Sequence, residues 1–186
     1  MPVVLVADAC ATLNLLATKK EAELLSGLHY SLLEPPQVAA QVQHLWTYPD
    51  QDGSRKKEPA TTAPLRDAEL LRTVVLEAAQ ELDAFVEAAA QINDADAACI
   101  ALAGVRGLPL LTDDKKERRI ARELFNTIQL VSTLDVLHDG AAKLGWDEDT
   151  LAAVAASLYW RGRFAPPRDD PRSDWYRLLL RRVLEQ

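Results

Sequence analysis

Three groups of aspartates punctuate the 186-residue chain: Asp8 after the apolar run VVLVA, Asp94 and Asp96 ahead of AACIALA, and Asp113 with Asp114 directly after LLT. Carboxylates that meet in a fold repel one another, and a divalent cation offsets the repulsion. A donor set made of oxygen alone suits Mg²⁺ or Mn²⁺ better than zinc. His29, His44 and His138 have no ligand spacing, and Cys10 and Cys99 form no C-x-x-C pair, so no zinc site or disulfide framework is expected. Each aspartate also stands where a helix is expected to begin, and there a carboxylate serves equally well as a cap. The chemistry therefore depends on all three groups meeting.

The elements that must position them follow from periodicity. Residues 3–7 form a continuous apolar run rich in β-branched Val, as in a strand covered on both faces, and Asp8 ends it. Helices are expected over 9–18 and 21–25, and a short amphipathic one over 37–46 behind Pro35 and Pro36. Residues 47–66 change to Pro, Asp, Gly, Ser and Lys and predict a flexible insert. Beyond it the pattern gives a strand at 72–77, a helix at 78–90, a helix at 95–105 stopped by Gly107, and a strand at 109–112. A charged helix at 115–125, a strand at 128–131 and a helix from Thr133 follow. Alternating strands and helices predict an α/β protein, a three-layer α/β/α stack with a central, mainly parallel sheet. The predicted organisation is a domain at 1–140 and a helical extension at 141–186, with Pro166, Pro167 and Pro171 leading into a final amphipathic helix around Trp175, Tyr176, Leu179 and Leu180. In such a sheet ligands gather beyond the carboxyl ends of the strands, and all three acidic groups are placed to reach that rim.

The net charge of −7 argues against a broad basic surface for nucleic acid. Local cations exist at Lys115, Lys116, Arg118, Arg119 and Arg122, and again between Arg161 and Arg182. They suit either a solvated helix face or a few phosphate contacts. The opening MPVVLVAD is short and lacks a basic leader, and no later run is long enough to cross a bilayer, so a cytoplasmic protein that does not enter the membrane is expected.

The segments VVLVADACATLNLLA, PPQVAAQV, INDADAACIALA and GLPLLTDDKKERRIA, in this order, resemble the landmarks of PIN domains, especially VapC-like ribonuclease toxins of type II toxin-antitoxin systems. The likeness runs from about Val3 to Leu137. It implies that Asp8, Asp96 and Asp114 are the catalytic acids and hold Mg²⁺ or Mn²⁺, with Asp94 the alternative to Asp96 and Asp113 an extra carboxylate. Thr112 would orient the metal site, Asn14 would approach it as a polar neighbour, and Lys115, Lys116, Arg118 and Arg119 would bind RNA. The departure is Gln41, where relatives usually carry Glu; either Glu34 compensates or activity is reduced. The resemblance further implies an endoribonuclease leaving a 5′-phosphate, a homodimer, and a cognate antitoxin whose tail blocks the acidic cleft.

Rival classes are weaker matches. A PIN-like module that binds RNA or a protein without cleaving it is favoured by Gln41 alone. Dehalogenase-like enzymes need a second acid where this chain has Cys10, receiver domains need an acidic pair that is missing, and no Gly-rich turn follows the first strand as a dinucleotide fold requires.

Overall fold

The computed structural model describes residues 2–184, so Met1 of the opening run and the last two residues of the expected extension lie outside the described residues. Five strands, β1 (Val3–Ala7), β2 (Tyr30–Glu34), β5 (Leu71–Thr73), β6 (Leu110–Leu111) and β7 (Leu130–Val131), form one sheet in the order β5-β2-β1-β6-β7. Every neighbouring pair in it is parallel. The helices are α1 (Ala9–Ala17), α2 (Glu21–Leu28), α3 (Pro36–Gln41), α4 (Ala63–Asp67), α5 (Ala79–Ala89), α6 (Asp94–Arg106), α7 (Lys115–Leu124), α8 (Thr133–Leu144), α9 (Glu148–Gly162) and α10 (Ser173–Leu184). A separate antiparallel hairpin joins β3 (His44–Trp46) to β4 (Lys57–Pro59).

Strand alternation divides the core in two. Leu5, Ala7, Leu32, Leu111 and Val131 face a cluster built with α1, α2, α8, α9 and α10. Val6, Leu33 and Leu110 face the opposite cluster, built with α3, α6 and α7. The sheet is therefore covered on both sides, which explains why β1 reads as an unbroken apolar run and makes the architecture the three-layer α/β/α stack that the sequence predicts.

Four local expectations change. Tyr30–Glu34, to which the sequence assigns no element, is a buried strand beside β1; its run is too short for a periodicity signal. The helix expected over 37–46 ends at Gln41, because Val42 leaves the helical region at ψ 80° and the chain enters β3. The stretch 47–66, expected as an insert without elements of its own, carries β4 and the start of α4. Pairing of Leu45 with Glu58 fixes it, and Arg161 of α9 holds Glu58 while donating to the Leu16 and Ala17 carbonyls. The strand expected over 72–77 is short, Leu71–Thr73.

The extension shares the core of the sheet domain. Tyr176, Leu179 and Leu180 of α10 and Val154, Ala155 and Leu158 of α9 belong to the same apolar cluster as α1 and α8. Ser157 donates to the Ala17 carbonyl at 2.7 Å, and Arg172 pairs with Asp135 of α8. No helix among the described residues is long and apolar enough to cross a membrane.

Candidate active site

The strand order reverses at β1. From β1 the chain passes through α1, which packs on one face, to β2; from β6 it passes through α7, which packs on the other face. Two helices diverging from adjacent parallel strands leave a crevice at their carboxyl ends, the place where open α/β sheets bind ligands. Ala7 is in register with Leu111, so Asp8 and Thr112 emerge side by side at that crevice, and the Asp8 amide donates to the Leu111 carbonyl at 3.2 Å.

Asp8 is buried and caps α1 by accepting from the Ala11 amide. Burial raises its pKa from 3.8 to about 6, against the lowering influence of Thr112, the Ala11 amide and Glu117, while the Asp113 charge adds to the rise. Asp113 accepts from the Thr133 amide at 2.9 Å, from the Thr133 hydroxyl, and from Asn14 at 3.0 Å. Burial raises its pKa in spite of these bonds. Asp114 is exposed and caps α7, accepting from Lys116 and Glu117 amides at 2.7 and 2.9 Å. Asp96 is half-buried, accepts from Asn93 at 2.7 Å, and has a raised pKa from burial and from the Asp114 charge.

Cys10 records how these groups gather. Although Cys10 is exposed at the start of α1, partial desolvation and then the charges of Asp8, Asp96, Asp113 and Asp114 push its thiol up to about 12. Aspartates from three separate chain segments are thus close enough for their charge to act on one sulfur. Asp94, by contrast, is exposed on the first turn of α6, and the helix register favours Asp96 as the inward acid.

Sequence reasoning missed Glu117. It is fully buried on α7, accepts from the Thr112 hydroxyl at 2.7 Å, and lies within hydrogen-bond reach of Asp8. Burial first and then the Asp8 charge raise its pKa well above 4.5. Its Oε1 is buried and has no hydrogen-bond partner among the described residues. The available signal was periodic: Glu117, Ile120 and Ala121 form the buried stripe of α7, so an acid occupies an apolar position at i, i+3, i+4 spacing.

Other expected residues take different roles. Gln41 is exposed at the end of α3, and Glu34 is turned to Arg66 and Thr73 at the end of β2, with burial raising its pKa. Arg118 donates to the Thr112 carbonyl at 2.8 Å and to that of Val131 at 3.4 Å, closing the ends of β6 and β7. Arg119 pairs with Glu123 on its own helix, Lys115 pairs with Asp169, and Lys116 is exposed beside Asp96. Lys115, Arg118, Arg119 and Arg122 nevertheless line one cavity of about 600 Å³ between α7 and the segment at Pro167, with Asp113 in its wall.

Apart from the Cys10 thiol, whose raised pKa keeps it protonated, the donors around the crevice are oxygen, so a hard divalent ion matches the set chemically. Among the described residues, no three Asp, Glu, His or Cys side chains are arranged to enclose a metal ion; the closest association of acids described above is the Asp8 and Glu117 pair. The fold and site define a class: a parallel α/β protein with an acidic crevice at its topological switch point. Compared with protein-family models, curated proteins and solved structures, the chain matches none.

Proposed function

We propose that the crevice takes Mg²⁺ or Mn²⁺ and that the protein hydrolyses RNA phosphodiesters. The observation that carries this reading is the emergence of Asp8 and Thr112 side by side at the carboxyl ends of β1 and β6, with Asp113 and Asp114 next in the chain, beside a cavity whose wall carries Lys115, Arg118, Arg119 and Arg122 together with Asp113, Glu123, Asp169 and Asp170. Asp8, Asp96 and Asp114 would hold the cation, with Asp113 and Glu117 beside them. Such an ion supplies a Lewis acid for the phosphate and an acidified water. The chain's own side chains do the rest. Thr112 fixes Glu117, and Asn14 with Thr133 fixes Asp113, so the carboxyls cannot swing apart when charged. Arg122 would provide charge along the cavity where a strand of phosphates would lie, joined by Lys115 and Arg119 if the phosphates displace Asp169 and Glu123 from them. The resemblance of the motif order to that of PIN domains agrees with this reading.

The test is Mn²⁺-dependent cleavage of a labelled single-stranded RNA by wild type and by Asp8→Asn. Cleavage should fall at least a hundredfold in the variant; equal rates remove Asp8 from the reaction and with it this reading.

A second reading, a PIN-like module that binds without cleaving, is favoured by the neutral Gln41 and by the absence of a three-acid enclosure among the described residues. Gln41→Glu separates the two: it raises cleavage if an existing site lacks charge, and leaves a non-cleaving module inert.

A further inference from the structure

Away from the crevice, the β3–β4 hairpin gathers cations on aromatic rings. The guanidinium carbons of Arg163 and Arg55 lie 5.3 and 5.9 Å from the Trp46 ring centre, and Lys57 Nζ lies 5.7 Å from it. Arg55 is also 5.6 Å from the Trp160 ring. Next along the hairpin, Lys19 Nζ sits 5.7 Å from the ring of Tyr48, which is 43% exposed. Glu58, the acid within β4, is taken by Arg161. Among the described residues, Lys19, Arg55, Lys57 and Arg163 have no carboxylate at ion-pair distance.

Such a cluster is out of keeping with a chain of net charge −7. Like charges held together repel, and the ring faces offset that only in part. A polyanion offsets it fully. Half-buried rings beside unneutralised cations are also the combination that holds single strands, since bases stack on the rings while phosphates meet the cations. An acidic peptide would use the charges and leave the rings idle.

We propose that this face binds single-stranded RNA, with Trp46, Trp160 and Tyr48 contacting bases and Lys19, Arg55, Lys57 and Arg163 contacting phosphates. The choice of RNA rests on the reading above. The surface itself is distinct from the crevice: Asp8 precedes α1, whereas Lys19 follows it, and Arg161 holds the last carbonyls of that helix. A strand lying on the hairpin would therefore be held along the flank of the domain, away from the carboxylates.

The experiment is quenching of tryptophan fluorescence by a ten-residue oligoadenylate in excess chelator, so that binding is read without turnover. Wild type should be quenched, with an affinity that falls as salt rises. Trp46→Ala should bind the oligomer about tenfold more weakly or worse. Because Trp46 is half-buried, the double variant Lys57→Gln with Arg163→Asn leaves the ring in place and tests the charges separately. Asn suits the left-handed conformation of Arg163 (φ 54°). It should lower the slope of log affinity against log salt by about 1.4. Absence of quenching overturns the proposal, as does unchanged affinity in both variants. Displacement of the oligomer by poly-glutamate at equal charge overturns it too, since the patch would then be a bare charge surface. Binding in chelator alongside an Asp8→Asn variant that still cleaves would sink the cleavage reading and leave this surface standing.

Discussion

The carboxyl of Asp8, at the end of β1, lies within hydrogen-bond reach of the carboxyl of Glu117, on the buried stripe of α7. Thr112 stands between them and donates to Glu117. Two buried acids in contact cannot both carry a full charge without a shared proton or a cation. The pair therefore makes the crevice responsive to both.

The response to pH has a definite sign. The Asp8 carboxyl rises to about 6 in the folded protein from 3.8, so its contribution is fully present below 3.8 and is lost as pH climbs through about 6. Asp113 and Glu117 shift in the same direction, so wild type should be compared with Asp8→Asn, which retains an N-cap. Between pH 4 and 7 the unfolding free energy of wild type should fall relative to the variant by on the order of 2 kcal/mol. Urea titrations at several pH values measure it; a difference that stays flat over that interval would show that Asp8 ionises as freely folded as unfolded.

Replacing Glu117 by Gln keeps an acceptor for Thr112 and offers an amide donor toward Asp8. At pH 8, with chelator present, the substitution should raise the melting temperature by several degrees, because the folded protein no longer needs to protonate or bury that acid. Added Mn²⁺ should stabilise wild type more than Glu117→Gln if the unpartnered oxygen helps hold the ion. Equal Mn²⁺ shifts in the two proteins would take Glu117 out of the cation's surroundings.

Arg118 and Arg119 are neighbours in sequence with unlike consequences. Arg118→Ala strips a charged donor from the Thr112 and Val131 carbonyls and should cost about 1.5–3 kcal/mol. Arg119→Ala removes only an exposed pair with Glu123 and should stay within about 0.5 kcal/mol. Denaturant unfolding of both variants is sufficient, and similar losses would contradict the roles assigned here.

What the residues determined by themselves was local. Asp8, Asn93 and Asp114 cap helices through amides two or three positions away, Gly107 ends α6 at positive φ, and the apolar run at Val3–Ala7 marks a strand whose Leu5–Ala7 end is buried on both faces, all of which neighbouring residues suffice to fix. The alternation of such elements was enough to define the three-layer stack. The tertiary structure decided what depends on distant chain meeting in one register. Pairing with β1 turned Tyr30–Glu34 into a strand, and pairing with β3 ordered a stretch whose composition reads as loop. Packing of α7 against the sheet drove Glu117 inward beside Asp8, and Asn14 met Asp113 from 99 positions away. Burial and hydrogen bonding across such separations are set by the sum of the core's contacts, so no window of sequence around either residue carries them.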